Sequence, residues 1–156
     1  MATLKPRSEL PLNPLKRSTP CVGICSTTYG DLVCRGCKRY AHEIVQWNGY
    51  SDAQRDSVWA RLLNLRAEAV ESAVQIEDRA RFDEAVASFR LPEDARWSVL
   101  AYELLSRSVR REQPLETLGL MAREGLSVLA LLKTIDAEIF ARSKARYEQS
   151  YRVPAE

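Results

Sequence analysis

Histidine is almost missing from this chain: His42 is the only one in 156 residues. A histidine-based catalytic triad would have to run through His42, for which no nucleophile partner is evident. The chain also has no phosphate-cradling glycine loop, no Gly-x-Ser-x-Gly elbow and no paired-histidine motif. Hydrolase readings are therefore weak, and no catalytic residue is assigned. Glycine is scarce as well, with six residues. No long stretch alternates apolar with polar residues, so there is little room for sheet. No apolar run approaches the roughly 18 residues of a membrane span, and residues 1–20 lack the apolar stretch of a signal peptide. These absences point to the cytoplasm, with no membrane partner. A large charge of one sign is also lacking: 23 Lys and Arg stand against 21 Asp and Glu, a net charge of +2. A wholly basic nucleic-acid binder is thereby excluded. No repeat of fixed period occurs.

What is present is an ordinary globular composition, 46% apolar and 28% charged, long enough to bury a core. Its distribution is uneven. Residues 1–50 carry seven cations and three anions, whereas residues 51–156 carry sixteen and eighteen. Four of the seven prolines (Pro6, Pro11, Pro14, Pro20) and the cations Lys5, Arg7, Lys16 and Arg17 fall in the first twenty residues. That composition favours extended backbone, so residues 1–18 read as a flexible basic arm.

Beyond residue 37 the pattern is helical. Tyr40, Ile44 and Trp47 are spaced four and three apart before an Asn48-Gly49 stop. Ser51 and Gln54 fit a capping box, after which Val58, Leu62, Leu65 and Ala69 hold one face of a second helix. Whether that helix continues through Val74 and Ile76 the pattern leaves open. Phe82, Val86 and Phe89 form a third stripe, ended at Leu91-Pro92. Pro92, Glu93 and Asp94 suit the first turn of a fourth helix, whose buried side is Trp97, Leu100, Ala101, Leu104, Leu105 and Val109. Pro114 opens a short segment closed by Gly125. A last helix is expected from about Leu126 to Tyr147, with Leu129, Leu132, Ile135, Ile139 and Phe140 on one side and cations near its end.

The strongest chemical signal is Cys21-x3-Cys25-x8-Cys34-x2-Cys37, all four cysteines within 17 residues. In a reducing compartment such crowding reads as a metal site before it reads as disulfides. Tyr29-Gly30-Asp31 in the linker is good turn chemistry, so the two pairs can be folded together, with room for a short hairpin between them. Four thiolates suit tetrahedral zinc, and they equally suit an iron-sulfur cluster. Gly36 lets the backbone turn around a metal with amides aimed at sulfur. Arg35, Lys38 and Arg39 would offset the negative charge of either centre, and a helix starting after Cys37 favours the thiolate. A redox dithiol at Cys34-x-x-Cys37 is the lesser alternative.

Thr19-Pro20-Cys21-Val22-Gly23-Ile24-Cys25, then Cys34-Arg35-Gly36-Cys37-Lys38-Arg39, then Glu43-Ile44 and Trp47, resemble a bacterial family of small YdhL-like proteins. That family is classed as a domain of unknown function and often labelled predicted iron-sulfur proteins. The resemblance covers residues 19–63, with Thr19 and Tyr40 standing where Ser and Thr are expected. It implies metal binding and supplies no reaction.

The remaining candidates have plain explanations. His42 reads as a surface or packing residue because four cysteines already fill a tetrahedral site. Glu43 suits the dipole of an early helical turn. Trp47 and Trp59 read as core for a module too small to assemble one otherwise. Met121 to Ser127 is similar to the turn of a helix-turn-helix, but the following Val128, Leu129, Ala130, Leu131 and Leu132 would read no bases. Arg107, Arg110 and Arg111 suit a solvated helix end.

The expected architecture is mainly α, a four-cysteine knuckle fused to a helical bundle. Residues 1–18 form the arm, 19–65 the metal module with two helices, and 66–152 the helical domain. The expected role is a cytoplasmic metal-binding accessory protein with a protein partner, nucleic acid being more weakly supported. An iron-sulfur protein in electron transfer or cluster assembly is the alternative.

Overall fold

A computed structural model describes residues 19–23, 25–111 and 113–151. The expected basic arm, residues 1–18, lies outside these. The chain is mainly α-helical. Its helices are α1 (Ala41–Gln46), α2 (Asp52–Ala73), α3 (Arg79–Ser88), α4 (Trp97–Ser108) and α5 (Val128–Tyr151). Two short strands, β1 (Val74–Ile76) and β2 (Leu120–Ala122), pair antiparallel, with Gln75 opposite Met121. No helix among the described residues is long and apolar enough to cross a membrane.

The capping box that Ser51 and Gln54 predict opens α2. The Gln54 amide donates to Ser51 Oγ at 3.2 Å, and the Gln54 side chain accepts from the Ser51 amide at 2.9 Å. The helix buries Val58, Leu62, Leu65 and Ala69 as expected. It ends at Ala73, where the chain becomes extended to enter β1. The expected boundary between residues 65 and 66 therefore lies inside one continuous helix.

α2 is the spine of the molecule and packs against both α4 and α5. Leu65, Val70, Phe82, Leu104, Leu120 and Ile135 belong to the main core. A second cluster around Trp47, Trp59, Leu62 and Leu63 reaches Val99 of α4. The cysteine-bearing segment thus shares its apolar interior with the C-terminal helices.

Three local expectations are corrected. Pro92 to Asp94 do not begin α4: they form a turn in which the Ala95 amide meets Pro92 O at 3.4 Å, and the helix starts at Trp97. The segment after Pro114 is closed by Gly119, not Gly125. A short 3-10 turn, Leu115–Leu118, ends there in a left-handed conformation and β2 follows. On α5 the buried positions are Val128, Leu131, Ile135, Ile139 and Ser143, while Leu129 is 53% exposed. The helix starts two residues later than expected and extends to Tyr151.

Candidate metal centre

Residues 25–40 carry most of the candidate site. Cys25 leads into a 3-10 turn, Ser26–Tyr29, closed by Gly30 in the left-handed region. Extended backbone follows, and Val33 bridges Tyr40 in antiparallel fashion. Between these two residues the chain makes a tight knuckle. The Lys38 amide donates to Cys34 O, and the Cys34 amide donates to Arg39 O, each at 2.9 Å. The hairpin expected in the linker between the pairs is instead this bridge across the second pair.

Lys38 reverses the chain with a φ of 68°, a left-handed conformation in a residue other than glycine. Its side chain shows what stabilises it. Nζ, almost fully buried, donates to Arg35 O at 2.6 Å, Gly36 O at 2.9 Å and Asp136 Oδ1 at 2.7 Å. One ammonium thus satisfies two carbonyls of the knuckle and pins it to α5.

Cys34 and Cys37 are brought together inside the knuckle, and both are buried. Burial acts to raise the Cys34 pKa. Backbone amides of Cys37, Ser26 and Gly36, with the Cys37 thiol, outweigh it and hold the thiol down to about 7. Burial pushes the Cys37 thiol up, against the opposing hydrogen bond and charge of Arg39. Arg39 Nε donates to Cys37 Sγ at 3.3 Å. Gly36 lies between the two cysteines within this knuckle, and its backbone amide is among the groups that lower the Cys34 pKa.

Cys21 and Cys25 are placed differently. Cys21 is exposed, its sulfur accepting from the Gly23 amide at 3.4 Å. Cys25 is half-buried and hydrogen-bonded to Thr27 Oγ1 at 2.8 Å. Among the described residues, no three Cys, His, Asp or Glu side chains stand together as a group that could hold a metal ion. The Arg35 amide nevertheless donates to Ser26 Oγ at 2.8 Å, which draws the chain just after Cys25 against the knuckle. Pro20 and Val22, flanking Cys21, share with Cys37 the wall of a cavity of about 40 Å³. Two of the four cysteines stand together in the knuckle, and the segments carrying Cys21 and Cys25 lie beside it.

The surroundings anchor this knuckle. Glu43, read from the sequence only as a dipole residue, is buried: it accepts from the Tyr40 amide at 2.8 Å and pairs with Arg61 of α2 at 2.7 and 2.5 Å. Arg61 also lies 4.0 Å above the Tyr40 ring. Tyr40 in turn meets Tyr147 and Tyr151 at the end of α5, and His42 stacks edge-on with Tyr151 at 5.0 Å. His42 thus has a packing role, distant in kind from a metal ligand. Trp47 and Trp59 are both buried. The helix-turn-helix similarity does not survive, since Met121 and Ala122 lie in β2 and Val128 and Leu131 face the core. Arg107 pairs with Glu103 at 3.5 Å, and Arg111 lies over Phe89.

Chemically, the Cys34–Cys37 pair can chelate a thiophilic metal or form a disulfide. The low Cys34 pKa suits either. With Cys34 only 1% exposed, attack by or on an external disulfide is shielded, which favours the ligand role. Neither residue shape nor sequence spacing reveals Arg39 or Lys38 as parts of the site beyond their charge.

Fold and site together define a mainly α-helical protein with an N-terminal cysteine knuckle docked on its bundle. The model of a family described as a protein of unknown function (DUF1289) matches residues 19–66, a stretch holding all four cysteines, α1 and most of α2. No curated protein and no solved structure matches the chain.

Proposed function

We propose that Cys21, Cys25, Cys34 and Cys37 hold one metal centre and that the protein is a cytoplasmic metal-binding accessory protein rather than an enzyme. The observation that carries this reading is the buried Cys34–Cys37 pair, held in one knuckle by the Lys38 amide on Cys34 O and the Cys34 amide on Arg39 O, with backbone amides holding the Cys34 thiol below its ordinary pKa. Amide donors of this kind stabilise a thiolate, the form that a metal would need. Cys34 and Cys37 would supply one chelating pair, and closing the Cys21–Cys25 segment over the knuckle would supply the other. A bound metal would contribute Lewis acidity or electron storage according to its kind. The protein's own residues orient the ligands, exclude water from Cys34 and Cys37, and link the centre to α5 through Lys38. Val22, Tyr29 and Leu32 stand exposed nearby, 57%, 89% and 57% respectively, and suit contact with a protein partner.

Zinc and an iron-sulfur cluster both suit the donor set, the latter favoured by the YdhL-like resemblance. Anaerobic purification followed by metal and acid-labile sulfide analysis decides between them. Zinc gives a colourless protein, and a cluster gives a brown protein that bleaches on reduction. Cys34→Ser or Cys37→Ser should abolish stoichiometric metal in either case. A wild-type chain that takes up neither metal under replete conditions, or a Cys34→Ser chain that keeps it, refutes the reading.

A further inference from the structure

We infer that Arg39 acts on this centre through the sulfur of Cys37, from outside the coordination sphere, and that Trp47 locks it in position; the inference rests on the metal reading above. Arg39 is 4% exposed, which is unusual for a guanidinium without a carboxylate. The neighbouring cations show the ordinary solution. Lys38, equally buried, pairs with Asp136 at 2.7 Å, and Arg61 pairs with Glu43. Arg39 has no carboxylate partner among the described residues. Its Nε instead points at Cys37 Sγ, 3.3 Å away, and its guanidinium carbon sits 4.9 Å from the centroid of the Trp47 ring.

A buried cation needs a negative counterpart, and a neutral thiol is a poor one. A metal-bound thiolate is an adequate one. The four-thiolate centre carries a net negative charge whether it holds zinc or an oxidised cluster, so Arg39 is the counter-ion already in place. Its position follows from the local backbone. Lys38, between the two residues, reverses the chain in a left-handed conformation and brings the Arg39 side chain back beside Cys37, while Tyr40 meets Tyr147 of α5. Trp47, itself buried, offers a flat surface that fixes the plane of the guanidinium and hence the direction of Nε. Arg39 is thus a positioning residue that holds the Cys37 ligand and draws charge from its sulfur.

Cobalt(II) is the probe, because its thiolate charge-transfer band reports directly on ligand sulfur. Competition against a chelator should show Arg39→Gln binding cobalt about 10- to 100-fold more weakly than wild type, the range seen when a ligand's outer hydrogen-bond partner is removed. At saturation the variant should still hold one ion per chain. Its charge-transfer band should move to lower energy, since a sulfur relieved of its hydrogen bond gives up electron density more easily. Arg39→Lys, which keeps the charge and loses the planar fork, should recover part of the affinity and part of the band position. Trp47→Phe should fall between wild type and Arg39→Gln. Should Arg39→Gln fail to fold, Arg39→Lys and Trp47→Phe carry the same band measurement. Wild-type affinity with an unshifted band in the folded Arg39 variants overturns the inference and leaves the metal reading intact. A wild-type protein that binds neither cobalt nor zinc overturns the metal reading itself.

Discussion

Replacing Glu43 by Ala removes three interactions in one step. The carboxylate caps the Tyr40 amide at 2.8 Å and takes two hydrogen bonds from Arg61, with the Glu43 side chain only 6% exposed and that of Arg61 17%. Burial works against the Arg61 charge, yet the hydrogen bonds and charge of Glu43 hold its pKa above the ordinary value. The alanine variant would leave that guanidinium buried beside the Tyr40 ring without an anion. Breaking a buried pair from one side costs about 3–5 kcal/mol, and the lost cap about 1 kcal/mol within or beyond that range. A loss of about 4 kcal/mol is a large part of the 5–15 kcal/mol typical of a native protein. With a urea slope of about 2 kcal/mol/M, the unfolding midpoint should fall by about 2 M. Glu43→Leu combined with Arg61→Met removes both charges, and should recover most of the loss because no uncompensated ion remains. An alanine variant that loses less than about 1 kcal/mol, or a double variant as unstable as the two single losses combined, would refute the argument that burial sets the cost.

Gly119 has a φ of 68°, and a Cβ there would collide with Asp78 O and lie 2.6 Å from the Phe82 amide nitrogen. Gly119→Ala should therefore lose more than about 3 kcal/mol in thermal unfolding, whereas Gly125→Ala, at the same φ but facing open space, should lose only about 1–2 kcal/mol. Equal losses would show that conformation matters and the collision does not. In metal-free protein the folded state holds Cys34 as a thiolate down to about pH 7, against an ordinary value of 9.0. That contribution is complete above pH 9 and disappears as pH falls through 7, so the urea midpoint should climb between pH 7 and 9 in wild type and stay flatter in Cys34→Ser. Cys37 has the opposite sign: its raised pKa disfavours the folded state once the pH exceeds 9. A wild-type midpoint that falls between pH 7 and 9 relative to Cys34→Ser would contradict this assignment.

Much of the helical architecture was readable because it is local. Ser51 and Gln54 cap α2 within one turn, and the apolar spacing from Val58 to Ala69 places its buried face without reference to any other element. The same holds for the stripe of α3 and for the closeness of Cys34 and Cys37, which only two residues separate. The strands were not readable. β1 and β2 are three residues each and too short to show alternation, and more than forty residues, α3 and α4 among them, separate them along the chain. α5 misled for a related reason: its leucines stand on several sides, and only contact with α2 selects Leu131 over Leu129 for burial. At the candidate site, spacing alone points to four cysteines, and it is silent on which of them are buried. That Lys38 is buried against Asp136, that Glu43 is paired with Arg61, and that Arg39 faces Cys37 beneath Trp47 depend on partners distant along the chain or on how the chain turns. In sequence these residues are simply charges near a knuckle. Packing against α2 and α5 removes them from water, and each must then find a specific counterpart.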